Sequence, residues 1–161
     1  MTADTASARV AWALQSRRAH AQLLRMLAPH DLQLLDFAEG RSRRQQAMAH
    51  YQRAAKAGWV LTQDVAGWDA VAPALAAALQ ALPAEAASGP WTALVQDADT
   101  RGVYVLDTAA LLHRAAVLLR WDGNTVLMAA PGLRHGLLLD CEVADDDSVH
   151  LQVETWSADG W

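Results

Sequence analysis

The sequence predicts an α+β fold with about four N-terminal helices packed on a C-terminal antiparallel sheet of about six strands. In residues 1–82 apolar side chains recur at spacings of three and four, which favours helices. After residue 90 they alternate with polar side chains in short runs between turn residues, which favours hairpins. Helices followed by strands are typical of this class. Residues 83–90, PAEAASGP, resemble a linker, so we expect one compact domain with a helical part (1–82) and a β part (91–161).

Two helices are predicted before residue 41. The first is capped by Asp4 or Thr5 and runs to about Ala28, just before Pro29. The second follows Asp31 as its cap and stops at Gly40, a residue type that commonly ends helices. The apolar face of the first helix is expected to consist of Val10, Leu14, Ala21, Leu24 and Leu27 or Ala28.

Two further helices complete the helical part. Ser42 followed by Gln45 is a capping-box pattern, so a third helix should begin there and end at Gly58. A fourth is predicted from Ala70 to Leu82 with Asp69 as its cap. Between them, WVLTQD (residues 59–64) has the residue types of a short strand. The apolar face predicted for the fourth helix is Val71, Leu75, Ala78, Leu79 and Leu82.

Three hairpins are predicted in the β part. The first joins residues 91–96 to 103–107, and the second joins 117–121 to 125–129 through an Asp-Gly turn. A helix over 108–116 is expected between these two hairpins. The third joins residues 135–144 to 148–156, and a turn centred on Asp146 places Cys141 opposite Leu151 and Glu142 opposite His150.

The composition is that of a folded protein, with 53% hydrophobic and 19% charged residues. Twelve arginines against one lysine resemble the usage of a GC-rich bacterial genome. The N-terminus lacks the basic and apolar regions of a signal peptide, and no apolar run approaches the roughly 20 residues of a membrane span. We therefore expect a cytoplasmic bacterial protein that does not act in a membrane.

Charge is distributed unevenly along the chain. Residues 1–56 carry nine basic and four acidic side chains, a net +5, whereas residues 57–161 carry four basic and fourteen acidic ones, a net −10. Such a split is typical of proteins that bind nucleic acid or a charged partner, and it also arises when the two parts pair within one molecule. Arg43 and Arg44 would lie in the first turn of the third helix, where the helix dipole opposes them. We therefore expect negative groups beside them, from the acidic part of the chain or a second copy of it rather than from phosphate.

No catalytic or metal-binding constellation is recognisable. Cys141, the single cysteine, falls on the apolar side of its strand and is expected to be a buried filler rather than a nucleophile. The six histidines lack ligand spacings, and the aspartates at 145–147 are not followed by the glycine of a calcium loop. Nucleotide-binding and nucleophile-elbow motifs are absent from the sequence. We expect no catalytic residue, no metal and no cofactor.

These observations favour a non-enzymatic accessory or adaptor protein, an immunity-like inhibitor or a secretion-chaperone-like protein, that acts by contact with another protein or by self-association, for example as a homodimer. One alternative is a small-molecule-binding domain or an enzyme with a cleft between helices and sheet. Another is a weak DNA-binding regulator in which Gly40 is the turn of a helix-turn-helix, although the pI of about 5.6 disfavours nucleic acid. The residues predicted to contact a partner are Arg41, Arg43, Arg44, Arg53, Asp145, Asp146, Asp147, Trp156 and Trp161.

Overall fold

The predicted α+β class is confirmed. A computed structural model describes residues 3–27, 32–95, 98–123, 125–143 and 148–161. In it a seven-stranded antiparallel sheet has the order β1-β4-β3-β5-β6-β7-β2. Its strands are β1 (Gln33–Leu34), β2 (Val60–Val65), β3 (Trp91–Leu94), β4 (Val103–Leu106), β5 (Thr125–Ala129), β6 (His135–Val143) and β7 (Val149–Ser157).

Helices precede and interrupt the strands. A 3₁₀ turn at Trp68–Ala70 leads into the third helix. The helices are α1 (Ala3–Leu23), α2 (Phe37–Ala57), α3 (Val71–Gln80), α4 (Ala84–Ala87), α5 (Ala98–Arg101) and α6 (Thr108–Asp122). The fourth of these lies inside the predicted linker, where Ala86 is buried and the Gly89–Pro90 peptide bond is cis.

The helices cover both faces of the sheet, not one face alone. Buried residues of α3 and α6 pack with β3, β5, β6 and β7 in the larger core. Ala47 and Ala54 of α2 pack with the opposite face of the same strands in a second core. The central strands can support helices on both sides because their side chains are buried in both directions, as in β3, all of whose residues are buried.

Helix α2 replaces the predicted second and third helices. It begins at Phe37, and the Asp36 carboxylate caps it by accepting a hydrogen bond from the Glu39 N–H at 2.9 Å. Gly40 lies inside the helix, where a Cβ would be only 3.3 Å from Val103 Cβ, so this glycine permits close packing on β4. The predicted helix end at Gly40 and the capping box at Ser42 are therefore wrong, and the helix-turn-helix interpretation has no turn.

The predicted end of this helix is confirmed. Gly58 adopts φ 73°, and its N–H donates to the carbonyls of Ala54 and Ala55. Glycine favours this left-handed conformation because it has no Cβ to clash with the backbone.

Helix α6 extends over a segment that the sequence predicted as a strand. The Asp107 carboxylate caps it by accepting from the Ala110 N–H at 2.7 Å, and Gly123 ends it at φ 84°. Residues 117–121 are thus helical, and β5 pairs with β3 and β6 instead. The Asp-Gly pair is a helix terminus here, because Leu118 and Leu119 continue the buried side of the helix.

The other hairpins agree with prediction. The third has Cys141 opposite Leu151 and Glu142 opposite His150. The first is confirmed by the pairing of β3 with β4, with α5 in its connection. The five apolar residues predicted for the fourth helix are all buried, including Leu82, which lies just beyond α3. None of the described side chains caps this helix, so the expected role of Asp69 is wrong.

Helix α1 packs differently from its predicted apolar face. Val10 is 61% and Leu14 57% exposed, whereas Ala19 and Leu23 are buried. The main neighbour of α1 is the short helix α5 rather than the sheet. The side of α1 that is exposed therefore depends on its packing against α5, which the spacing of its own apolar residues does not reveal.

Candidate functional site

The open end of the face that carries α2 is acidic. Helix α2 crosses this face obliquely, from Gly40 against Val103 on β4 to Tyr51 against Trp156 on β7. The register places the side chains of Asp64, Asp140, Glu142 and Glu154 on the same side of the sheet as Trp156, beyond the helix. We call these four carboxylates the acidic face.

Three of these four carboxylates accept hydrogen bonds from neighbouring side chains, which orient them. The Tyr51 hydroxyl donates to Glu154 Oε2 at 2.8 Å, and the Thr125 hydroxyl donates to Asp140 Oδ1 at 2.5 Å. The Gln152 amide donates to Asp64 Oδ1 at 2.9 Å, and His150 Nε2 lies 3.4 Å from the same oxygen. The hydroxyl and amide donors carry no charge, so their hydrogen bonds do not neutralise Glu154, Asp140 or Asp64.

The pKa of Tyr51 is affected by the negative charge of the acidic face. Burial raises the pKa of Tyr51 above its ordinary value, and the hydrogen bond to Glu154 and the negative charges of Glu154 and Asp140 raise it further. A tyrosinate next to two carboxylates is unfavourable, because like charges repel. Tyr51 therefore serves as a neutral donor that holds Glu154.

A shallow pocket of about 260 Å³ adjoins the acidic face under α2. Met48 and Tyr51 form its helix side, and Leu127 and Leu138 form part of its floor on the sheet. Arg44 and Thr125 supply polar atoms at its border. The pocket thus lies between α2 and the sheet.

The predicted basic residues of α2 do not act as one group. Arg43 forms an ion pair with Glu39 of its own helix at 2.7 Å and donates to Thr92 Oγ1 at 3.1 Å. Arg41 lies over the Phe37 ring at 6.0 Å, and Arg44 borders two pockets, whereas Arg53 is exposed. Arg43 thus has a negative neighbour, but it is Glu39 of its own helix, so the prediction that this neighbour comes from the acidic part of the chain is wrong for Arg43. The arginines are not in the first turn, so the dipole argument for them is wrong.

The two tryptophans named from the sequence differ completely. Trp156 is fully buried in the second core, with its ring 5.9 Å from that of Tyr51, so in this structure it cannot be a contact residue. Trp161 is 54% exposed. It follows Gly160, which lies against the Trp59 ring. The predicted contact residues Asp145, Asp146 and Asp147 lie outside the described residues.

Several acidic residues of the C-terminal part have structural partners away from the acidic face. Asp107 caps α6, Asp122 is buried beside Arg101 with a 3.3 Å contact, and Asp159 pairs with Arg134. The Arg134 hydrogen bond lowers the pKa of Asp159 below its usual range. Sequence reasoning missed Asp64, whose place on the acidic face depends on the pairing of β2 with β7.

The single thiol of the chain lies on the side of β6 that faces the larger core. Cys141 is buried as predicted, and burial together with the nearby Asp140 charge raises the pKa of its thiol. Among the described residues, no three His, Cys, Asp or Glu side chains come together to hold a metal ion. The same part of the chain contains no helix with the length and apolarity needed to cross a membrane.

Comparison of the chain with protein-family models, with curated proteins and with solved structures finds no match.

Proposed function

We propose that this protein is a non-enzymatic accessory protein that acts by protein contact, and that its acidic face binds a basic segment of a partner protein. The observation that carries the proposal is the convergence of four carboxylates from β2, β6 and β7 on one open sheet face. Surfaces of one sign accelerate encounter with an oppositely charged partner and select against partners of like charge.

The burial pattern of the same strands supports this proposal. On β6 the residues that precede Cys141 are mostly buried, whereas Glu142 and Val143 are exposed. On β2, residues 61–64 are all exposed. A sheet face that is apolar under α2 and acidic beyond it presents a charged surface on a rigid support, which lowers the entropic cost of binding.

A charge-reversal experiment tests the proposal. The variant Asp64→Lys/Glu142→Lys changes two exposed residues of the acidic face, and Asp69→Lys/Glu85→Lys makes the same net change on elements that pack on the other face. Fluorescence anisotropy with labelled deca-arginine, at low and moderate salt, gives the dissociation constants. We expect the first variant to bind about 10–100-fold more weakly, since each surface ion pair contributes up to about 1 kcal/mol and reversal turns attraction into repulsion.

The matched variant should bind within about threefold of the unmodified protein, because its charges lie away from the face. Equal weakening by both variants would mean that only net charge matters, and the proposed face would be rejected. No binding of the peptide by the unmodified protein at low salt would reject it as well.

A second candidate function rests on the pocket beneath α2. Its volume of about 260 Å³ and its apolar floor with a tyrosine hydroxyl at the edge suit a small aromatic or aliphatic molecule. Titration of indole and benzoate, followed by the NMR signal of the Met48 methyl group, tests it. If neither compound shifts this signal at millimolar concentration, the candidate fails, and Met48→Trp, which fills the pocket, is the control for any shift observed.

A further inference from the structure

The outer edge of β2 offers backbone hydrogen-bonding groups to a further strand. The N–H of Ser157 donates to Trp59 O at 3.3 Å, in the same register as the β2–β7 pairing. Because hydrogen-bonded pairs alternate along an antiparallel ladder, Leu61, Gln63 and Val65 direct their N–H and C=O groups to β7. The groups of Val60, Thr62 and Asp64 therefore point outward.

The hydrogen bonds on the other side of β7 confirm which residues of β2 direct their backbone groups outward. The N–H of Ala158 donates to Arg134 O at 2.7 Å, so the even-numbered residues of this segment bond to β6. The odd-numbered ones remain for β2, in agreement with the pair of Ser157 and Trp59. Each residue of an inner strand bonds to one side only, and the two observations are mutually consistent.

This edge lacks most of the features that usually protect a sheet edge, although one charged side chain, Asp64, lies in it. Its sequence VLTQDV contains no proline and no lysine, and its register with β7 runs from Val60 to Val65 without a bulge. Within the described ranges, β2 is the last strand of the sheet and no other strand lies beyond it. Leu61, on the opposite face from Asp64, is 52% exposed.

The outward-bonding residues are also the ones whose side chains lie on the acidic face. A strand added at this edge would therefore alternate, with one set of side chains next to Thr62 and Asp64 and the other set next to Leu61. Thr62 lies opposite Glu154 of β7. Since neighbouring strands are about 4.8 Å apart, a long basic side chain beside the small Thr62 can extend over it toward Glu154.

Charge selects the occupant of the edge. A second copy pairing through β2 in an antiparallel, two-fold arrangement would place the two acidic faces next to each other on the same side of one continuous sheet, and its own β2 contributes no basic residue. Like charges at such a junction are unfavourable. A foreign strand with alternating basic and apolar residues matches both sides of β2.

We propose that the partner segment binds as an extended strand along the outer edge of β2, with its basic side chains over the acidic face and its apolar side chains over Leu61. This inference rests on the proposed function, and it adds the geometry of the bound segment and the pattern by which it would be recognised. Strand addition of this kind takes affinity from backbone hydrogen bonds and specificity from alternate side chains.

The variant Thr62→Pro tests the geometry without changing charge. It removes an outward N–H while leaving the bonds to β7, since proline is tolerated on the open side of an edge strand. Thr62→Val, which keeps the N–H and the side-chain size, is the matched control. The probe is a nine-residue peptide alternating Arg and Val, compared with a peptide of the same composition in which all Arg residues precede all Val residues.

We expect the alternating peptide to bind the unmodified protein and Thr62→Val with about equal affinity. It should bind Thr62→Pro about tenfold or more weakly, because proline removes one backbone hydrogen bond to the peptide and its ring obstructs the added strand. Hydrogen exchange at the amides of Val60, Thr62 and Asp64 should slow about tenfold or more when the peptide binds the unmodified protein. Circular dichroism and the urea midpoint of Thr62→Pro establish that it is folded. If this variant does not fold, the exchange measurement on the unmodified protein decides the question alone.

Three results would overturn the inference. If Asp64→Lys/Glu142→Lys loses binding while Thr62→Pro and the three amides are unaffected, the acidic face binds the segment but not as a strand. Equal affinity for the two peptides would remove the requirement for alternation. If sedimentation shows a dimer that Thr62→Pro dissociates, the occupant of the edge is a second copy of the chain.

Discussion

Gly136 allows Trp156 to pack against the sheet, and Gly136→Ala should therefore be strongly destabilising. Gly136 pairs with Ala129 on one side and with Trp156 on the other. A Cβ at this position would lie 2.1 Å from Met128 O and 2.6 Å from Cζ2 of the Trp156 ring. The first obstacle is backbone and the second is a fully buried ring, so neither can move aside without opening the β5–β6 ladder or the second core.

The size of the effect follows from these distances. The φ of Gly136 is not positive, so the cost is steric and not conformational. Adding atoms to a well-packed core typically costs about 1–3 kcal/mol, and a contact with a fixed carbonyl belongs at or above the top of that range. We expect a loss of about 3 kcal/mol or more, which for a domain of this size lowers Tm by about 6–12 °C.

Urea denaturation followed by tryptophan fluorescence measures this loss. Gly58→Ala is the control, because its φ is 73° but a Cβ there would meet nothing within 4 Å, so it should cost only about 1–2 kcal/mol. If Gly136→Ala costs no more than Gly58→Ala, the close approach of Trp156 is not the constraint we describe. A second test is Trp156→Leu in the Gly136→Ala background, which should cost less than the sum of the two single changes, since the ring is one of the two obstacles.

Three further predictions concern ionisation, reactivity and helix capping. Burial raises the pKa of both tyrosines, Tyr51 and Tyr104, so the stability that they contribute is complete below pH 10 and is lost as pH rises toward the folded-state pKa. Absorbance at 295 nm should therefore show tyrosine ionisation only together with unfolding. A separate titration of either tyrosine before unfolding would contradict this prediction. The raised pKa and burial of Cys141 predict negligible reaction of its thiol with Ellman's reagent at pH 7.5 in the native protein and stoichiometric reaction in urea. Rapid labelling of the folded protein would contradict this prediction, because it would show that the thiol is accessible. Asp107→Ala should lower the free energy of unfolding by about 1 kcal/mol, because it removes the cap of α6. Asp69→Ala removes no cap and should leave the free energy of unfolding within about 0.5 kcal/mol of that of the unmodified protein. Equal effects of the two changes in urea titrations would mean that the cap does not stabilise α6.

Local patterns predicted well those elements whose neighbours in space are neighbours in sequence. The β6–β7 hairpin is such a case, because a short connection fixes the register, and alternation then places Cys141 inside and His150 outside. The end of α2 at Gly58 is another, since a left-handed terminator depends only on the last turn of the helix.

Prediction failed where a residue has two roles that only packing can distinguish. Gly40 has the residue type of a helix terminator, yet it lies inside α2, where β4 approaches too closely for a side chain. The Asp-Gly pair at 122–123 has the sequence of a hairpin turn, but burial of Leu118 and Leu119 extends α6 up to it. In both cases the tertiary contact outweighs a weak local preference.

The candidate site was predictable only in part. The excess of carboxylates after residue 57 is visible in the sequence, and the hairpin register places Glu142 beside His150. The sequence does not indicate that Asp107, Asp122 and Asp159 are engaged elsewhere, nor that Trp156 is buried. These assignments depend on contacts between distant parts of the chain.

By itself the sequence determined the α+β class, the order of most elements and the net charge of each part, because these follow from hydrophobic period, turn residues and composition. The tertiary structure alone decided that β2 crosses from the helical part to the far edge of the sheet, which brings Asp64 next to the strand that carries Glu154. The physical reason is that period fixes which side of a strand is apolar, whereas the partner of a strand is chosen by long-range backbone pairing and packing, which no local window contains. The acidic face and the open edge beside it are products of that pairing.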